Sequence, residues 1–186
     1  NGRLESEDYR RINEAMSQLA DTNIFFHDAS ATTASEIQAK CRRLSTQGEG
    51  LGLVLIDYLQ LIDSSGKYQG ARQQEISEIS RKLKTMALDL GVPVIALSQL
   101  SRGVEKREDK KPVLSDLRES GAIEQDADIV MFLYRDEYYN KEATDKPNIC
   151  EVIIAKQRSG STGTVELTWL GKYTRFADKA REAAAF

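Results

Sequence analysis

The 186 residues carry 26 Lys and Arg against 29 Asp and Glu, a formal net charge of -3, and 40% of them are hydrophobic. That is apolar material for one sizeable core in a single domain, 1–186. It excludes a globally basic chain, so any nucleic-acid contact has to come from a local basic surface. No apolar run approaches the roughly 20 residues that cross a bilayer, and Asn1-Gly2-Arg3-Leu4 has no signal-peptide pattern, which predicts a soluble protein with no membrane contact.

Tyr9, Ile12, Met16 and Leu19 fall on one helical face, with Ser6 placed to cap the N-terminus. Asn23–His27 is a short apolar run that predicts a strand. Thr33 and Glu36 have capping-box spacing ahead of a second helix lined by Ile37, Cys41 and Leu44. The glycine-rich break Gly48–Gly52 precedes Leu53–Ile56, continuously apolar and therefore suited to a strand covered on both faces. Asp57 ends that run. Ile76, Ile79, Leu83, Met86 and Leu90 repeat at helical spacing until Gly91 and Pro93 stop the helix, and Val94–Leu97 reads as a second buried strand. Strand, crossover helix and strand form a right-handed parallel unit, whose ligands gather beyond the carboxyl ends of its strands. The stretch from Arg102 to Lys111 mixes both charges and is expected to be a solvated surface loop. Ile129–Leu133 predicts another strand. Val152–Ala155 and Val165–Trp169 flank Ser159–Gly163 and predict an antiparallel hairpin, in which Val165, Leu167 and Trp169 serve packing.

Cys41 and Cys150 are far apart, form no CxxC pair and lie in apolar segments, so buried free thiols and a reducing, cytoplasmic setting are expected. His27 has no nearby metal-ligand partner and reads as structural. Chemistry concentrates at the strand ends. An aspartate directly after four apolar strand residues is the Walker-B pattern, in which a carboxylate holds Mg²⁺ through its water shell. On pattern alone, Asp57 fits that role and a turn-capping aspartate equally. Gln99, at the end of the adjoining strand, is placed either to sense a γ-phosphate or simply to end the strand. The usual companion motif, G-x-x-x-x-G-K-[ST], does not occur: Gly66-Lys67 and Gly171-Lys172 are each followed by Tyr.

Four segments in order, Leu55–Leu61, Ser98–Arg102, Asp116–Asp128 and Lys156–Gly160, resemble the successive motifs of the DnaB-like replicative helicases. The likeness runs from the first helix to about Phe176. It implies an α/β, RecA-like P-loop NTPase core: a mostly parallel sheet flanked by helices, a C-terminal antiparallel hairpin, and the N-terminal strand, P-loop and catalytic glutamate missing. With Asn rather than Met at position 1, an excised piece, inactive alone, is the expectation. The resemblance further implies ATP and Mg²⁺ as cofactors and a homo-hexameric ring moving 5′-to-3′ on single-stranded DNA. A helicase loader and primase are the implied partners. By position, Asp57 matches the Mg²⁺-site aspartate and Gln99 the glutamine near the γ-phosphate. Lys156 and Arg158 match the basic pair that reaches a neighbour's nucleotide as an arginine finger does. Arg118, Glu119 and Gly121 match the loop facing DNA in the channel. Two other readings stay open: a non-catalytic docking module for loader or primase, and another RecA-like ATPase, against which the Asp116–Asp128 block argues.

Overall fold

A computed structural model describes residues 4–29, 31–47, 50–64, 66, 68 and 70–180, and the side chains of all of these except Arg118, Glu119, Ser120 and Glu142. Gly48 and Glu49 of the glycine-rich break and the tail from residue 181 thus lie outside the described residues. The chain divides into two units, 1–30 and 31–186.

In the first unit, helix α1 (Ser6–Ala20) forms where the apolar spacing predicts it. Its cap is Glu5 and not Ser6. The Asp8 carboxylate turns back to accept from the Glu5 backbone N–H at 3.0 Å, which makes Ser6 the first helical residue. Tyr9, Ile12, Met16 and Leu19 are all exposed. The strand expected over Asn23–His27 does not form: this stretch is irregular, and Phe26 is 91% exposed. An apolar run becomes a strand only where a second strand completes its ladder, and no strand ladder among the described residues includes this stretch.

The second unit opens with β1 (Thr32–Thr33) and α2 (Ala34–Ser45). Here the predicted capping box is present: the Glu36 N–H donates to Thr33 Oγ1 at 3.3 Å and the Thr33 N–H to Glu36 Oε2 at 2.8 Å. Next come β2 (Val54–Ile56), β3 (Ile62–Asp63), α3 (Arg72–Leu90) and β4 (Val94–Ala96). Gly91 closes α3 in the left-handed region, at φ +65°, a conformation that costs a residue with a Cβ. β1 pairs in parallel with β3. β2 pairs in parallel with β4, Val54 opposite Val94 and Ile56 opposite Ala96.

One face of α3 supplies the main core. Ile76, Ile79, Leu83 and Met86 are 0–5% exposed and pack with Ala34, Cys41, Val54, Ile56, Leu59 and Ile62. Each such apolar side chain contributes about 1.5–3 kcal/mol by leaving water. The expectation that the β2 and β4 strands are covered on both faces is corrected. Leu55 is 63% and Ile95 44% exposed, because the core of this unit lies on one side of the pair.

The charged stretch after β4 also departs from a solvated loop. It contains the short helix α4 (Gly103–Lys106), which buries Val104, and Arg107 donates to both carboxylate oxygens of the buried Asp116 at 2.6 and 2.9 Å. Charges pack when they are paired, which composition alone does not reveal.

A 3-10 segment, Leu114–Ser120, runs directly into α5 (Gly121–Asp126). Then follow β5 (Ile129–Tyr134), α6 (Asp136–Asn140), β6 (Ile149–Gln157), β7 (Gly163–Leu170) and β8 (Arg175–Asp178). Strands β5 to β8 form a four-stranded antiparallel sheet in chain order, so the predicted hairpin β6–β7 is its centre. Val130, Phe132 and Leu117 make a second core with Ile123, Ala127, Ile153 and Ala155 packed against it. Trp169 packs on Phe176, ring centres 4.8 Å apart, and under the Arg135 guanidinium. Cys41 and Cys150 are buried free thiols, and burial raises the pKa of both. No described helix is long and apolar enough to cross a membrane.

Candidate functional site

The parallel pair β2–β4 sets two sequence-predicted residues at one edge. Asp57 follows the last residue of β2 and is exposed. Beyond the ladder, the Leu97 N–H donates to the Ile56 carbonyl and the Leu59 N–H to the Leu97 carbonyl, both at 2.9 Å, so the two strand ends stay side by side. Gln60, which the sequence reading passed over, ties them together. Its Oε1 accepts from the Gln99 backbone N–H at 3.2 Å, its Nε2 donates to Ser98 Oγ at 3.1 Å, and its own carbonyl accepts from Arg72 on α3 at 2.6 Å. Asp57 and Gln99 therefore share the carboxyl edge, where a parallel sheet binds its ligands.

Lys156 lies next to the end of β6 and Arg158 just beyond it, and both side chains reach the Gln125 carbonyl, so they serve one side. Which side is decided by a bulge. The register runs Ile129 to Gln157 and Val130 to Lys156, then shifts so that Met131 faces Ile154, leaving Ala155 as the extra residue. Lys156 thus shares the face of Val130 and Phe132, where α5 packs through Ile123.

The Lys156 ammonium donates to the carbonyls of Glu124 (2.5 Å), Ala127 (2.8 Å) and Gln125 (3.4 Å), at the carboxyl end of α5. That end of a helix carries unsatisfied carbonyls and partial negative charge, so a cation there is favourable. Arg158 donates to the Gln125 carbonyl at 3.4 Å and lies 3.5 Å from Asp128, and its backbone N–H donates to the Asp128 carbonyl at 2.9 Å. Arg158 is 57% exposed. Asp128 also pairs with Lys84 of α3; this hydrogen bond, with Arg158 and Lys156 adding to it, holds the carboxyl below its usual range. No signal in the sequence marked Asp128 as the shared partner of Lys84 and Arg158, because 44 residues of chain separate it from Lys84.

Between Gln99 and Lys156 in chain order lies the segment that the resemblance assigns to DNA contact. Its backbone is the 3-10 turn ending at Ser120 followed by Gly121, while the side chains of Arg118 and Glu119 lie outside the described residues. Gly121 is helical, φ -53°, and a Cβ there would meet nothing within 4 Å, so the fold itself does not require a glycine. Upstream, the Arg107–Asp116 pair and the Ser101 N–H, which donates to the Asp116 carbonyl at 3.0 Å, anchor the start of the turn. Downstream, Ser80 of α3 donates to Asp126 at 2.9 Å. No hydrogen bond or ion pair among the described residues joins the Asp57–Gln99 edge to Lys156 or Arg158.

Among the described residues, no three His, Cys, Asp or Glu side chains gather as a metal cage. A single exposed carboxylate at a strand end fits Mg²⁺, which keeps several waters and takes phosphate oxygens, better than a cation that needs an all-protein cage.

A parallel β pair carrying an acid and a glutamine at its carboxyl edge, with a crossover helix on one face, is an α/β arrangement of the kind that binds ligands beyond its strand ends. Residues 1–178 match the DnaB-like helicase C terminal domain model, and the chain belongs to that family. It is similar to the replicative DNA helicase DnaC of Bacillus subtilis (strain 168), 58% identical over 97% of this chain and 39% of that protein. To the replicative DNA helicase DnaB of Geobacillus stearothermophilus it is 56% identical, over 97% of this chain and 39% of that protein. Among solved structures, an ATPase domain superposes with a TM-score of 0.89 at 47% identity, covering 95% of this chain and 62% of that one. A DnaB-like replicative helicase, described with its interactions with primase, gives the same TM-score and identity over 96% of this chain and 42% of that one. The chain thus spans about two fifths of the length of the curated relatives it matches, 39% of each.

Proposed function

We propose that this chain is the motor domain of an ATP-dependent replicative DNA helicase, one that works as a homo-hexameric ring moving 5′-to-3′ on single-stranded DNA. The observation that carries the reading is the carboxyl edge where β2 and β4 end together, with exposed Asp57 beside Gln99. In this reading Asp57 holds Mg²⁺ through water, and Mg²⁺, when bound, neutralises phosphate charge. Gln99, held by Gln60, lies near the γ-phosphate, and the phosphate-cradling loop comes from outside residues 1–186. Arg158 serves the nucleotide of the adjacent subunit: it is exposed, and no described contact brings it to its own Asp57 edge. A finger acting in trans would have this arrangement.

Arg118 and the backbone around Gly121 would meet DNA phosphates, with Glu119 orienting the loop. The relative described with primase supports primase as a partner, with a helicase loader as a second. The setting is cytoplasmic, in keeping with the two free thiols.

The test is DNA-stimulated ATP hydrolysis by the full-length protein and its Arg158→Ala form at fixed salt and protein concentration. Hydrolysis is expected to fall roughly a thousandfold while ATP still binds. An unchanged rate would make Arg158 structural and sink the finger assignment.

A further inference from the structure

Lys156 has three N–H donors and the structure directs all three to the carboxyl end of α5: Glu124, Gln125 and Ala127. Two of these contacts are short, 2.5 Å to Glu124 and 2.8 Å to Ala127, with Gln125 farther at 3.4 Å, so the ammonium is turned toward the helix end. To serve a nucleotide it must first release the helix end. That helix is continuous with the segment proposed to meet DNA, since Leu114–Ser120 passes into Gly121–Asp126 without a break. The far end of the segment is fixed by Arg107 on the buried Asp116, so a movement of α5 has to be absorbed at residues 117–121.

We propose that Lys156 is a positioning residue that couples nucleotide to DNA: it clamps the carboxyl end of α5 when no phosphate is near and releases it when it turns to the neighbour's nucleotide. The inference rests on the reading of Lys156 and Arg158 as the basic pair of the trans site, and it adds how that site reports its state. Arg158 follows the same path through the Gln125 carbonyl, and Asp128, pinned to α3 by Lys84, keeps the Arg158 guanidinium over α5. With Lys156 withdrawn, the Glu124, Gln125 and Ala127 carbonyls turn to water, and the last turn of α5 loosens. Ser80, bonded to Asp126, and the packing of Ile123 on the core of α3 still hold α5, so the helix end frays without leaving the core.

The experiment is amide hydrogen exchange on the full-length protein with a single-stranded oligonucleotide, with and without a non-hydrolysable ATP analogue, alongside hydrolysis with and without DNA. In wild type the analogue is expected to raise exchange over residues 124–127 by about fivefold to tenfold, the protection that one helix cap confers. In Lys156→Met that exchange is expected to be fast already and indifferent to the analogue, and the ratio of DNA-stimulated to basal hydrolysis to fall toward one. Exchange in wild type that ignores the analogue overturns the proposal. So does a Lys156→Met form whose stimulation ratio matches wild type, whether its rates fall equally, as for a group acting only on the transition state, or its melting temperature alone falls, as for a structural residue. If the variant does not assemble, the wild-type exchange comparison decides. Failure of the finger reading would show separately, as full hydrolysis by Arg158→Ala. Failure of the coupling alone would show as lost hydrolysis in Arg158→Ala with exchange over α5 unmoved by the analogue in wild type.

Discussion

Met86 is 0% exposed on the core face of α3, and replacing it by Ala should cost the fold several kcal/mol without altering the chemistry of the molecules that remain folded. Shortening Met to Ala removes the equivalent of about three methylenes from the interior, about 2.4 kcal/mol in transfer terms. If the helix and strand around it relax only partly, a void of roughly 60 Å³ adds about 1.4 kcal/mol. The sum, about 4 kcal/mol, lies within the range known for such truncations, and collapse of the neighbours would bring it nearer 2.5 kcal/mol. For a chain of this length each kcal/mol moves the melting temperature by about 2–4 °C, so a drop on the order of 10 °C is expected by calorimetry. ATP hydrolysis by the full-length variant, measured per folded molecule well below that temperature, should match wild type, because Met86 is buried in the core cluster while Asp57 and Gln99 lie outside it. A loss under about 1 kcal/mol would refute the packing of α3 on β2, and with it the support beneath Asp57.

Two further outcomes separate stability from binding. Glu166 sits between Lys146 (2.5 Å) and Lys179 (2.7 Å), and its hydrogen bonds to them, Lys146 first, bring its carboxyl down from 4.5 to about 2. A depressed carboxylate stabilises the fold above its unfolded value and ceases to as pH falls through the folded one, so the urea midpoint of wild type should drop between pH 5 and pH 2.5 more than that of Glu166→Gln; equal drops would reject the pairing. Gly121→Ala should raise stability by about 0.5 kcal/mol, since Gly121 is helical and a Cβ meets nothing, yet weaken single-stranded DNA binding in an anisotropy titration at fixed salt; unchanged binding would remove Gly121 from the DNA surface.

Where local physics decides, the sequence was sufficient. The Thr33–Glu36 box, the Gly91 stop and the apolar face of α3 are all written within one or two helical turns, and each formed as its residues predict. Asp57 and Gln99 were legible because an apolar run ending in a polar residue marks a strand edge, and the parallel pairing then placed the two together. Asn23–His27 misled because an apolar run states only a preference, while a strand also needs a partner. Arg102–Lys111 misled for the opposite reason: Asp116, nine residues from Arg107, makes part of it a packed element. The grip of Lys156 on α5 was out of reach, because its acceptors are backbone carbonyls about 30 residues away and any sequence supplies carbonyls.

The extra residue in β6 works as a parity bit. Strands alternate, so counting from Ile153, which packs inward, even steps would send Ala155 and Gln157 toward α5 and leave Lys156 and Arg158 on the opposite side with Met131 and Leu133. Ala155, passed over by the partner strand, inverts every position after it, so that Gln157 is the residue turned away and folded over Gly160, where a Cβ would come to 2.5 Å from its amide nitrogen. One residue more or fewer at this point would leave the sheet, the hairpin and both cations intact as a list, and transpose which side of the molecule they serve.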